Sequence, residues 1–73
     1  MESIKVLVQF EGTKVEPLMF KSAGRVYKLK KVNLVYHFRQ GERSIFRFYV
    51  SDEANSYQLR FEPDIMQWFL EEN

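Results

Sequence analysis

Seventy-three residues allow one domain with a modest core, and the absence of cysteine denies that core both disulfides and thiolate metal ligands. Hydrophobic residues make up 45% of the chain, and seven Phe, four Tyr and one Trp are bulky enough to fill a small interior, which excludes a disordered linker. The formal net charge of +1 conceals a segregation: Lys21 to Arg47 holds eight basic residues against one acidic, whereas Phe48 to Asn73 holds one basic against six acidic. Such asymmetry marks either an anion-binding surface or basic and acidic strands that lie side by side and neutralise one another. The neutralised arrangement is the preferred reading.

Apolar positions recur with period two almost throughout. Ile4, Val6, Val8 and Phe10 form one face of a first strand that Gly12 ends. They alternate with Lys5, Gln9 and Glu11, and MESIKVLVQFEG lacks a basic leader and a cleavage site, so a signal peptide or membrane span is not expected. With no cysteine, a reducing cytoplasm is the expected compartment. Leu18 and Phe20 predict a short second strand after Pro17, and Ser22-Ala23-Gly24 a turn. A third strand runs from Arg25 to Lys31, with Lys30-Lys31 marking a bulge or bend.

Val32 to Val50 reads as a hairpin around Gly41. Placing Phe38 opposite Ser44 sets Tyr36 against Phe46, Leu34 against Phe48 and Val32 against Val50, which collects the large apolar pairs on one face. Setting Leu34 against Arg47 instead mixes the faces. The preferred register leaves Gln40-Gly41-Glu42 as the loop and makes Leu34, Tyr36, Phe38, Phe46 and Phe48 core. With Asp52 to Asn55 as the next loop, Val50 meets Tyr57, Phe48 meets Leu59 and Phe46 meets Phe61. Pro63-Asp64 opens either a short helix, with Ile65, Trp68 and Phe69 on one face, or a turn into a strand in which Met66, Trp68 and Leu70 alternate. The aromatic density favours the strand, with Leu59 opposite Trp68 and Tyr57 opposite Leu70. The expected fold is all-β: an antiparallel meander of five to six strands, as a curled sheet or small open SH3-like barrel. A sheet this small must curl or dimerise to hide its apolar face.

No catalytic constellation stands out, and no enzyme activity, cofactor or metal is expected. His37 is the single histidine, and no Gly-rich phosphate loop or HExxH pattern occurs. Glu71 and Glu72 are adjacent, so in a strand they point to opposite faces and are expected to be a solvated end, not an acid/base pair. The reverse face of the hairpins is the sharper feature: Val35, His37 and Arg39, then Arg43, Ile45, Arg47 and Tyr49, then Gln58 and Arg60. Arg39 would face Arg43, and Arg47 would face Arg60. Like charges directly opposite cost up to about 1 kcal/mol per pair, which a carboxylate, splaying into water or an external anion must offset. Basic residues interleaved with rings match the surface that single-stranded nucleic acid uses. The expectation is therefore a non-catalytic binding module, with Arg39, Arg47 and Arg60 on phosphate and Tyr49 and His37 as stacking groups. Another anionic partner is the lesser form of the same idea. The alternative is a protein-interaction or homodimerisation module that uses a strand edge or the apolar positions Val35 and Ile45.

The order of punctuating residues resembles a family of small uncharacterised bacterial β-proteins, a domain of unknown function. The matching positions, spanning residues 17–70, are Pro17, Phe20, Gly24, Arg25, Tyr27, Val32, Tyr36, Gly41, Phe46, Arg47, Phe48, Tyr57, Leu59, Trp68 and Leu70. Tyr36 stands where that family prefers Trp. The resemblance implies a final strand rather than a final helix and supplies no activity. Some members are associated with DNA-polymerase-like proteins, which adds slightly to the nucleic-acid expectation.

Overall fold

The computed structural model describes residues 1–71. It is all-β, with seven antiparallel strands: β1 (Glu2–Glu11), β2 (Lys14–Ser22), β3 (Arg25–Lys28), β4 (Lys31–Gln40), β5 (Arg43–Ser51), β6 (Ser56–Glu62) and β7 (Gln67–Glu71). The strand order is β3-β2-β1-β7-β6-β5-β4. The sheet curls into a half-barrel with an apolar concave side. No helix among the described residues is long and apolar enough to cross a membrane.

The meander is therefore interrupted once, and the strand count exceeds the expected five to six. β2 begins at Lys14, before Pro17, because a register shift at Leu7/Val8 accommodates the proline on the strand. The first and last strands pair at the centre, Glu2 with Leu70 and Ile4 with Trp68. The break falls at Leu29-Lys30, where the Leu29 amide donates to the Leu18 carbonyl on β2 (2.9 Å) and the Lys30 amide to the Ser51 carbonyl on β5 (2.9 Å). Two residues thus stitch opposite edges of the sheet together at one end. Beyond that corner β2 and β4 have no ladder between them, and a seam runs along the barrel.

Ile4, Phe20, Phe48, Val50 and Leu59 are the buried centre, with Val6, Val15, Tyr27, Phe46, Tyr57, Phe61, Trp68 and Leu70 packed around it. At the stitched end Tyr27 stacks on Phe20 at 4.7 Å, and Tyr57 on β6 meets both rings edge-on. Contacts of this kind each add about 0.5–1.5 kcal/mol beyond area burial, and they hold short β3 across the interior.

The β4–β5 hairpin departs from the expected register. Val32 does face Val50, but Asn33 is then bulged out, its Nδ2 donating to Ser51 Oγ (3.1 Å). Every later pair is displaced by one: Tyr36 faces Arg47, His37 faces Phe46 and Phe38 faces Ile45. The turn is the two residues Gly41-Glu42, closed by Gln40 and Arg43, and Gly41 supplies the left-handed φ of 64°. The tighter turn and the bulge compensate one another, and between them β4 has its faces exchanged. Leu34 and Tyr36 are exposed on the convex side instead of being core, and Phe38 is half-buried there.

The β5–β6 register is as expected, Phe46–Phe61, Phe48–Leu59 and Val50–Tyr57. The last element is a strand, but shifted by two residues, with Leu59 facing Leu70 and Phe61 facing Trp68. Met66 belongs to the four-residue turn Pro63 to Met66, not to the strand. A shift of two preserves the faces, so Trp68 and Leu70 still point inward.

The Asp52 to Asn55 loop forms where expected. Asp52 Oδ1 accepts from the Asn55 amide (2.7 Å) and the Ala54 amide (2.8 Å), and its other oxygen accepts from the Tyr57 hydroxyl (3.2 Å). These bonds, Asn55 foremost, hold the Asp52 carboxyl below its usual 3.8. A lowered folded-state pKa gives stability that is complete above 3.8 and is lost as pH falls through the folded value. Asp52→Ala should therefore be less stable than wild type at neutral pH, with the two melting temperatures converging as the solution is acidified below 3.8. A gap that stayed constant through the acid limb would show that the carboxylate charge is not what supports the loop.

Candidate functional site

The five residues expected to contact nucleic acid divide between two faces. Arg47, Arg60 and Tyr49 share the convex side, and Arg47 does face Arg60 across the β5–β6 ladder. His37 and Arg39 lie on the concave side, moved there by the Asn33 bulge, and Arg39 faces Ser44 rather than Arg43. His37 stacks on Phe46 at 4.3 Å, and its Nε2 shares a 2.7 Å hydrogen bond with Ser44 Oγ.

The convex arginines are paired. Arg47 donates from Nε to Glu71 Oε1 (2.6 Å) and from Nη2 to Glu71 Oε2 (3.1 Å), a bidentate fork on the strand beyond Arg60. The Glu71 carboxylate raises the Arg47 guanidinium above its ordinary value, against the opposing effect of burial. Arg47 also lies over the Phe38 ring, 5.1 Å from its centroid. Arg60 donates to Glu62 Oε2 (3.0 Å) and to Gln40 Oε1 (3.2 Å), while Arg43 donates to Glu62 Oε1. Carboxylates from the acidic segment thus supply the offset that a row of arginines requires, as the preferred reading of the charge segregation anticipated. Beside this network Ile45 is fully buried, which removes it as an exposed apolar contact. Glu71, expected to be a solvated end, is instead only 16% exposed and held by the Arg47 fork; Glu72, expected to be solvated likewise, lies outside the described residues.

The free chemistry is at the seam. β4 is an edge strand over its whole length, paired only to β5. On the concave side a cleft of about 360 Å³ separates it from the start of β2, lined by Val15, Val32, Val35, Phe46 and Phe48, with Lys14 and Glu16 at the rim. A second hollow of about 210 Å³ adjoins it and shares Val15, Phe46 and Phe48; Val8, Phe10, Phe61, Met66 and Trp68 complete its apolar wall. Val35 is 44% exposed and Phe10 72%. Among the described residues Lys14 and Lys31 have no ion-pair partner, and Arg39 has only a 3.5 Å contact with the Glu42 carbonyl.

The exposure of Val35 was legible from the sequence, but not its place on the concave side opposite Phe48, where the Asn33 bulge moves it together with His37 and Arg39. Val15 and Lys14 were not legible, although Val15 lies two residues before Pro17 and shares its parity. Reading the strand as starting after the proline hid them. Scans of the chain against protein-family models, curated proteins and solved structures find no match.

Proposed function

We propose that this domain is a non-catalytic interaction module that captures an extended segment of another protein along the free edge of β4. The observation that carries this reading is the seam: an unpaired ten-residue strand edge beside an apolar cleft. An added strand gains main-chain hydrogen bonds from such an edge, and alternate side chains enter the cleft. Charge selects the occupant. β4 carries Lys31 and Arg39 and no carboxylate, while Lys14 and Glu16 across the seam offset one another and leave the β4 cations to set the sign. A segment alternating apolar and acidic residues complements both features. A second copy of β4 does not, because the pair would assemble four cations and no anion.

The test is a titration of the full chain with a seven-residue peptide alternating valine and glutamate, against one alternating valine and lysine, read by amide exchange and chemical shift. The acidic peptide should protect β4 amides, and Val35→Glu should weaken binding about ten-fold or more without lowering the melting temperature. Equal response to both peptides, or no protection on β4, removes the proposal.

Single-stranded nucleic acid is the second reading. It is favoured by Tyr36 and Tyr49, whose rings meet edge-on at 6.0 Å on the convex face with Arg47 directly opposite Tyr36. Phosphates would have to displace Glu71 and Glu62 from the arginines, so weak, strongly salt-dependent binding is expected. An oligothymidine arm of the same titration, lost on Arg47→Glu, separates this reading from the first.

A further inference from the structure

A different surface carries a more specific chemistry. On the convex side of the β1–β2 pair, Lys5 and Lys21 are direct cross-strand partners. Opposed like charges on a sheet destabilise it, and among the described residues neither lysine has an ion-pair partner. Both line an open depression of about 630 Å³, together with Ser3, Gln67, Met66 and Trp68. Ser3, Lys5 and Lys21 project to the same side of the sheet as Gln67, since the residues between them pair inward, Ile4 with Trp68 and Val6 with Phe20.

The backbone around this depression is unusual. Ala23 (φ 50°) and Met66 (φ 53°) are the two non-glycine residues with left-handed backbone among those described, and both line it. The turn Ala23-Gly24 needs positive φ at both positions, which asparagine or glycine adopts at lower cost than alanine. Strained residues of this kind cluster at binding sites. Two strained residues and two unneutralised, directly opposed cations converge on one depression within the size range of small-ligand sites.

We propose that the depression binds a phosphomonoester, with the phosphate between the Lys5 and Lys21 ammonium groups. A phosphate near neutral pH carries about −1.5 to −2 charges and three acceptor oxygens. Two ammonium groups match that charge, and the Ser3 hydroxyl and Gln67 amide provide neutral donors beside them. A carboxylate, with one charge, would leave one lysine uncompensated. The volume left over accommodates the group that bears the phosphate, beside the Met66 turn. The site is separate from the β4 seam and stands or falls without it.

The experiment is an NMR titration of the full chain with inorganic phosphate, and in a second arm with phosphatidylcholine vesicles containing phosphatidic acid. Saturable shifts should appear at the amides of Ser3, Lys5, Lys21, Gly24 and Gln67. Lys21→Gln should lower the affinity about ten-fold, whereas Lys14→Gln, at the seam, should leave it unchanged. Without ligand, Lys21→Gln should melt a few degrees higher than wild type, because it removes the opposed charge. Phosphate should raise the melting temperature of wild type and not of the variant. Saturation by inorganic phosphate supports the site with a soluble ligand, and binding confined to the vesicles supports it with a lipid headgroup. Non-saturating shifts spread over all lysines, or a Lys21→Gln protein that titrates like wild type, overturn the proposal.

Discussion

Glu62→Ala should cost about 3 kcal/mol of stability, a large effect for a polar residue in so small a domain. The Glu62 side chain is 6% exposed and accepts from both Arg43 and Arg60. The Arg60 side chain is only 13% exposed, so removing the carboxylate leaves a nearly buried guanidinium whose remaining hydrogen bond among the described residues is to Gln40. Breaking a buried pair in this way costs about 3–5 kcal/mol, because one charge is stranded away from water. The Arg43 side chain is 52% exposed and can rehydrate, which places the expected cost at the lower end. Glu62→Gln, which keeps an acceptor but not the charge, should fall between. Urea unfolding of the two variants measures both values. A loss below about 0.5 kcal/mol for the alanine variant would mean that the arginines are already solvated and the network contributes nothing. The same measurement in a chain carrying Arg60→Met and Glu62→Leu should recover much of the loss, since well-packed apolar replacements avoid the desolvation cost.

Phe48→Ala and Tyr36→Ala should differ by several kcal/mol, and that difference tests the register of the β4–β5 hairpin. Phe48 is 2% exposed and meets Trp68 at 5.3 Å between centroids. Truncating it costs about 3–5 kcal/mol, much of the roughly 4–11 kcal/mol expected for a chain of this length. Tyr36 is 53% exposed on the convex face, where its main ring contact is Tyr49. Its loss should cost about 1 kcal/mol or less. In the register that gathers Leu34, Tyr36 and Phe38 with Phe46 and Phe48, both rings would be core and both variants would be severely destabilised. Thermal or urea melts of equal severity for the two would therefore return the hairpin to that register and remove the Asn33 bulge.

That contrast locates what was legible before the structure. Alternation with period two, the turn residues at Gly12, Gly24, Gly41 and Asp52 to Asn55, and the final strand through Trp68 and Leu70 are local properties. They specify strands and loops without reference to anything distant. The Phe46, Phe48 and Val50 side of β5 was assignable for the same reason, because every plausible β6 partner on that face, Tyr57, Leu59 and Phe61, is large and apolar. The charge segregation likewise announced that basic and acidic strands neutralise one another, though not which arginine takes which carboxylate, nor that Glu71 is drawn in from the solvated end expected of it.

β4 is different because both of its faces are apolar enough to be buried. Leu34, Tyr36 and Phe38 compete with Val32 and Val35, and a one-residue slip exchanges them. The outcome rests on contacts between residues far apart in the chain: Arg47 forked onto Glu71 and lying over Phe38, and Asn33 turned out to Ser51. The location of the seam is a tertiary result too. It follows from the pairing of the first and last strands and from Leu29-Lys30 bridging β2 and β5, neither of which has a local signal. Sequence alone determined an all-β domain with one firm apolar face on β5 and β6. Only the three-dimensional arrangement decided which side of β4 joins that face, which cations are neutralised, and that Lys5 and Lys21 stand opposed with no ion-pair partner among the described residues. Period two specifies that faces alternate, while the absolute choice of face is made by the partners that arrive from elsewhere in the chain.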